Sequence, residues 1–345
     1  ERIQLAIVLL MLVCVVVSLF AVKPDWLEFF KGFLVPHPLT YPDWATRQPE
    51  LAGRPVWVEA VTYVGVIGGS GYDYLAYVSY LRDKGWGRAG GPIATPAELE
   101  SMAKDPAHLH RRWLRAVIVD SALSFLAVLV FSSVFVVCGA VILGPQHKIP
   151  GGGNLLALQA EFVMPIYPWL KYVYFVGAFL TIFGTLYGTI EVAPTVLREL
   201  VCAFNPEQAA EQRPKLRRLA VSWAGFGGFA VLAGTFLCHL VSGRESPPGL
   251  IALLTPANLF TGVLACGLIC LLAAWTDCRF LPRGLRSGIL SRMLNAAAGL
   301  IFLALGIKGD WDDSGWTAIL ILTGTLALGW IGAWVGEARR FRRRS

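Results

Sequence analysis

Apolar runs of membrane length alternate with polar connections along the whole chain. Eight runs qualify, at about 3–22, 56–81, 114–143, 169–193, 219–241, 250–275, 288–307 and 315–336. A helix rises ~1.5 Å per residue, so ~20 residues cross the hydrocarbon core of a bilayer. The third run has length to spare for tilt. The pattern predicts an all-α membrane protein, a polytopic bundle of about eight transmembrane helices, with 1–345 as a single transmembrane domain. Smaller elements fall between the runs. Segment 23–55 is rich in Pro and Trp and reads as interfacial, with a short amphipathic turn near Trp26 to Phe33. The run Pro150 to Gly153 reads as a flexible lead into a short surface helix over Leu155 to Met164.

The second run is interrupted. Within Val64 to Tyr80 (VGVIGGSGYDYLAYVSY), Gly68, Gly69 and Gly71 fall in four residues and Asp73 follows at once. Glycine is a poor helix former and leaves the backbone free to unwind. A carboxylate at mid-bilayer costs ~2.5–3.5 kcal/mol on insertion scales. A broken helix carrying a charge at the break therefore predicts the ion or substrate site of a transporter. The plainer reading is a glycine kink that admits a neighbouring helix, with Asp73 paired elsewhere. The other polar residues at membrane depth or at its edges are Glu59, Asp120, Glu191, His239, Asn258 and Asn295. Glu191 closes the membrane part of the fourth run, just before Pro194. Asn258 follows Pro256 in a proline-interrupted run. Its amide either faces a cavity or makes an interhelical hydrogen bond worth ~0.6 kcal/mol. Gly329, Gly332 and Gly336 predict close helix contact in the last run.

Charge then orders the runs. The connections after the second, fourth and sixth runs, and the tail, hold seven, five, four and five Lys and Arg. The alternate connections hold four, two, one and one. This alternation is the positive-inside pattern and places both termini of the chain in the cytoplasm. A basic surface for nucleic acid would concentrate the net charge of +7 on one domain and does not predict alternation. The expected location is an integral membrane protein, in a bacterial inner (plasma) membrane, with the arginine tail as a juxtamembrane anchor.

Composition adds little that changes this picture. The chain is 55% hydrophobic and 15% charged, where soluble domains carry ~25% charge. The seven cysteines show no zinc-type spacing. Cys266 and Cys270, one turn apart, suit either a soft metal or, by the usual behaviour of buried thiols, plain packing. His108 and His110 beside Arg111 and Arg112 read as a solvated loop rather than a metal pair. The chain opens on Glu1, and run 3–22 lacks the cleavage site of a signal peptide, so a start partway through a longer protein is expected.

The chemistry open to the break is oxygen chemistry. Carbonyls freed at Gly68 to Gly71, with the Asp73 carboxylate, are hard donors that suit Mg²⁺, Mn²⁺ or Ca²⁺. Tyr72 and Tyr74 flank the acid and can hydrogen-bond to a cation's water shell. GGSG lacks the Lys and the spacing of a phosphate loop, and no triad or zinc motif is present. No enzymatic activity and no cofactor are expected.

The order of these features resembles the Nramp family of divalent-metal transporters from its fifth helix onward. Lys-Pro-Asp-Trp at 23–26, Lys-Gly-Phe-Leu-Val-Pro at 31–36 and the second run are similar to that family's fifth helix, outer loop and sixth helix. Arg111 and Arg112 with Asp120 resemble the start of its seventh. Tyr174 to Phe179 resembles its eighth, Arg217 with Arg218 the basic pair of its ninth, and Trp275 to Asp277 the end of its tenth. The resemblance implies the leucine-transporter-type inverted-repeat fold, here as the fifth helix plus the second repeat with extra C-terminal helices. It places the carbonyl ligand near Gly69 and the tenth-helix amide near Asn258. Where the family carries Met-Pro-His, this chain has Tyr72, Asp73 and Tyr74, which implies a harder cation, as in Nramp-related magnesium transporters. The family's Asp-Pro-Gly motif and first four helices have no counterpart here, so preceding helices of the same protein are expected as a partner.

The resulting expectation is a secondary transporter of divalent metal ions working by alternating access. Its metal ligands are Asp73, Tyr72, Gly69 and Asn258. Tyr74, Asp120, Arg217 and Arg218 are placed on a proton path or gate. The alternative is a same-fold permease for an amino acid or another organic substrate, with Asp73 binding its amine or a coupling Na⁺. A third reading is a non-transporting membrane scaffold.

Overall fold

A computed structural model describes residues 2–35, 38–46, 55–68, 71–87, 94–105, 107–150, 154–204, 212–242 and 250–344. Every regular element among these residues is helical. In chain order the α-helices are α1 (Arg2–Val22), α2 (Trp26–Leu34), α3 (Val56–Gly68), α4 (Gly71–Asp83), α5 (Pro96–Lys104), α6 (Leu109–Cys138) and α7 (Leu155–Ala160). There follow α8 (Leu170–Phe204), α9 (Arg213–Ser242), α10 (Leu250–Asn258), α11 (Ala265–Phe280), α12 (Ile289–Ser314) and α13 (Trp316–Arg344).

Five stretches of helix among the described residues are long and apolar enough to cross a membrane: Arg112–Gln146, Leu170–Ala203, Arg213–Val241, Leu254–Phe280 and Ile289–Ser314. These dimensions describe an all-α membrane protein. The other three expected runs take different forms. The first is a bent pair, Leu9–Val22 with Trp26–Gly32, turning through 115°. Asp25 makes that turn, because its carboxylate caps the backbone N–H groups of Leu27 and Glu28. The run at 56–81 holds α3 and α4, each of 13 residues, on either side of residues 69 and 70, which lie outside the described residues. The last run contains a shorter apolar helix, Trp316–Gly332.

The chain divides into two compact units, Glu1–Glu59 with Asp120–Thr189 and Pro248–Leu254, and Ala60–Val119 with Ile190–Pro247 and Thr255–Ser345. In the first, Met11, Val15 and Leu19 of α1 share a core with Val134 and Cys138 of α6, Leu158, Phe162 and Val163, and Tyr174 and Ala178 of α8. Ser18 is fully buried there and donates to the Phe162 carbonyl. Tyr174 donates to Gln159 at 3.1 Å. The short helix expected within 155–164 is α7, followed by turns.

The second unit is built on close helix approach. A Cβ on Gly262 would stand 2.5 Å from the Gly65 carbonyl oxygen, and one on Gly65 would stand 3.0 Å from the Asn258 carbonyl. Gly267 and Gly299 bring α11 and α12 together in the same way. Without a hydrophobic drive between helices in lipid, such backbone proximity supplies the dispersion energy of association. Gly329 and Gly332 were expected to serve this purpose. A methyl added to either would meet no described atom within 4 Å, so the close-packed glycines lie earlier in the chain. After Pro256, which offers no N–H to the ladder, the backbone widens to a π-helix over Leu259–Leu264 before α11 begins. Leu259, Val263 and Leu264 of that segment are buried.

Pro194 does not end α8 as expected. The helix runs through it to Phe204, and Thr195 donates its hydroxyl to the Glu191 carbonyl in the disturbed turn. The connection after α4 also holds more order than a solvated loop. Thr95 and Glu98 form a capping box at the start of α5, which packs on the turn Arg283–Leu285.

The Gly262–Gly65 contact is the most sensitive point of this packing. Gly262→Ala must push α3 off the π-helix and is expected to cost ~1–3 kcal/mol, read as a lower melting temperature in detergent. Gly225→Ala in α9, where the added methyl meets nothing within 4 Å, is expected to be neutral or to stabilise by up to ~1 kcal/mol. Equal melting temperatures for the two variants would contradict this account.

Candidate functional site

α3 spans Val56–Gly68 and α4 spans Gly71–Asp83; the expected break falls on residues 69 and 70, Gly69 among them, which lie outside the described residues. Asp73 is the third residue of α4 and therefore sits in its first turn, where the helix dipole is positive and a carboxylate is favoured by ~0.3–1 kcal/mol. Gly71 seats that turn on α11, since a Cβ there would stand 2.9 Å from the Ile269 side chain and 3.1 Å from Ala265. Asp73 lies within electrostatic reach of the Cys266 thiol on the same helix as Ala265. Tyr72 and Tyr74 flank it, and all three side chains are exposed.

Asn258 is the last residue of α10, immediately before the π-helix, and is half-buried. Its carbonyl faces Gly65 of α3. Asn258 thus lies against α3 through Gly65, and Asp73 is carried on α4, whose Gly71 packs against α11. Among the described residues no group of three or more His, Cys, Asp and Glu stands together as a metal cluster. Any cation here would be held by one carboxylate and neutral oxygens. His108 closes the turn after α5, donating its backbone N–H to the Asp105 carbonyl. Asp120, exposed on α6, belongs to the first unit.

Arg217 on α9 pairs with Glu191 of α8, while Arg218 is exposed. The pair belongs to a larger network that composition and run length alone did not reveal. Glu199 of α8 accepts from Ser79 at 2.8 Å and pairs with Arg82, both on α4. Arg198 also reaches Ser79 and pairs with Asp83 at 3.0 Å, and Arg213 of α9 stands 3.6 Å from the same carboxylate. The hydrogen bond to Glu199 leads in holding the Arg82 guanidinium above its ordinary value. A cavity of about 280 Å³ lies against this network, bounded by Tyr80, Asp83, Glu191, Arg198, Arg213 and Arg217. The signal in the sequence was present: Ser79, Arg82 and Asp83 share one face of α4 at i, i+3, i+4 spacing.

A further acid escaped notice because its run was expected to end near 307. α12 continues to Ser314, and Asp310 within it is only 6% exposed. Lys308, nearby on the same helix, pairs with Asp312.

Searches against family models, characterised proteins and solved structures match nothing to this chain.

The network makes a stability ordering. Glu199→Ala removes the acceptor of the buried Ser79 hydroxyl and the ion partner of the partly exposed Arg82, and a buried donor left without its acceptor costs ~1–3 kcal/mol. Arg217→Ala removes a pair whose arginine is 63% exposed, worth ~0–1 kcal/mol. Melting temperatures in detergent are expected to fall clearly for the first and barely for the second. The reverse order would show that the α4–α8 contact does not hold this end of the unit together.

Proposed function

We propose that this protein is a secondary transporter of divalent metal ions, with hard cations of the Mg²⁺ or Mn²⁺ type as its substrate, and that it is related to the Nramp family. The observation that carries the proposal is Asp73 in the first turn of α4, next to the glycine cluster of a run of membrane length. Helix ends expose backbone groups that the ladder does not use. In hydrocarbon such groups need a partner, and irregular backbone is tolerated there only in protein or along a water-filled cavity. A carboxylate beside those groups makes a small, hard, negative position that a dehydrating or water-bearing divalent cation neutralises. The π-helix after Asn258 supports the same reading, because single π turns concentrate at functional sites.

In this mechanism Asp73 supplies the charge, and Tyr72 and the Asn258 amide supply neutral oxygens. The carbonyl at Gly69 completes the set in the resemblance from which it is drawn. The α4 helix moves against α8 and α9 as access alternates, with Arg217, Arg218 and Tyr74 along the exit or proton path. Asp120 belongs to that path in the same resemblance. The basic connections face the cytoplasm of a bacterial plasma membrane.

A same-fold permease for an amino acid is favoured by one observation, the absence of a three-ligand acidic or histidine cluster among the described residues. In that case Asp73 pairs with the substrate amine.

Uptake into proteoliposomes carrying the full-length protein separates the readings. For a metal transporter, Asp73→Ala and Asp73→Asn are expected to lower Mn²⁺ and Mg²⁺ uptake about tenfold or more, the equivalent of ~1.4 kcal/mol of binding or barrier. Unchanged metal uptake in both variants removes Asp73 from the site. Competition by amino acids with no competition by metals selects the permease.

A further inference from the structure

A cavity of about 480 Å³ lies where α11 ends and α12 begins. Its polar wall is Asp277, Ser287, Ser291 and Arg292, and its apolar rim includes Phe280 and Leu281. The stretches Leu254–Phe280 and Ile289–Ser314 both terminate here, so the cavity stands at the level of the lipid headgroups. Trp275 and Phe280, edge to face at 5.6 Å and both exposed, mark the same level as an aromatic belt does.

The charges in this cavity are opposed but incompletely satisfied. The Asp277 carboxylate is 11% exposed and accepts from the Ser287 backbone N–H at 3.2 Å and from its hydroxyl at 3.4 Å. Arg292 Nε stands 3.6 Å from Asp277 Oδ2, close enough for ion pairing and too far for a hydrogen bond. That Nε is buried and has no hydrogen-bond acceptor among the described residues. The guanidinium donates to the Cys278 thiol at 2.9 Å, a weak acceptor for one of its five N–H groups. The fork geometry of Arg is suited to a bidentate phosphate oxygen pair, which the cavity leaves room for.

A plain anion would meet Arg292 but also the Asp277 charge. A plain cation would meet the reverse. A ligand that carries both charges, with a hydrogen-bonding ammonium for Asp277, a phosphate for Arg292 and the Ser291 hydroxyl, and apolar chains for the Phe280 and Leu281 rim, satisfies every wall. We propose that this cavity binds the headgroup of a phospholipid bearing a primary ammonium, that is, a phosphoethanolamine lipid. A quaternary ammonium cannot donate to Asp277, so choline lipids bind more weakly. A glycerol headgroup leaves Asp277 unmatched.

The test is lipid retention by the delipidated full-length protein, measured by native mass spectrometry with ethanolamine, choline and glycerol phospholipids of equal chain length. Wild-type protein is expected to retain the ethanolamine lipid about tenfold better than the choline lipid. Asp277→Asn is expected to abolish that preference, and Arg292→Gln to weaken retention of all three. Because Asp277 also holds the 281–288 turn, Ser291→Phe provides a second variant that fills the cavity mouth from an exposed position and leaves the ion pair in place; it is expected to lose the preference while melting like wild type. Equal retention of the three lipids by wild type, or a preference that survives both Asp277→Asn and Ser291→Phe, overturns the proposal. So does free phosphoethanolamine competing as well as the intact lipid, which would make the cavity a site for a soluble zwitterion. None of these readouts involves uptake, so they stand or fall apart from the transport reading.

Discussion

Hydrocarbon does not tolerate an unpaired backbone N–H or C=O, and this chain is shaped by that constraint. Each unpaired group costs several kcal/mol, which makes uninterrupted helix the default for every apolar run. Interruptions are therefore informative. Among the described residues the second unit has the π-helix at Leu259–Leu264. Gly65 of α3 packs on Asn258 and Gly262 beside it. A helix that abandons regular α geometry against a close-packed neighbour concentrates unladdered carbonyls in one place. Glycine is what lets the neighbouring backbone come within contact.

The charged residues obey the same constraint by a different route. Arg82, Asp83, Arg198, Glu199 and Arg213 meet where α4, α8 and α9 converge, each charge facing its opposite. Asp277 and Arg292 repeat the arrangement at the α11–α12 turn with poorer geometry. Asp73 draws on a further source of positive potential, the N-terminus of its own helix.

Much of the architecture was legible because run length and glycine clustering act locally. The five long stretches, the turn into α2 and the short helix α7 all follow from residues within a few positions of one another, while the expected break at Gly68 to Gly71 falls on residues 69 and 70, outside those described. What was not legible depends on which face meets which neighbour. Gly329 and Gly332 have the spacing of a packing motif, yet Gly262, Gly267 and Gly299 make the close contacts. The fourth run was expected to end at 193, just before Pro194, yet α8 continues through that proline to Phe204. The basic residues after the second and fourth runs were counted only for topology, which concealed that Arg82, Arg198 and Arg213 have specific acidic partners. Of the candidate site, Asp73 and Asn258 were found as the acid and the amide nearest a break, but their relation through Gly65 and Gly71 needed coordinates.

Asp310 shows how much the end of a run matters to such reasoning. If the helix stopped near 307, the acids at 310, 312 and 313 would be a solvated turn. Because α12 continues to Ser314, Gly309 stays in the packed face against Leu259 of the π-helix, and Asp310 beside it is carried into the interior. The nearby base on that helix is committed to Asp312. The unit thus holds two acids flanking the widened segment 259–264, Asp73 through α11 and Asp310 through α12.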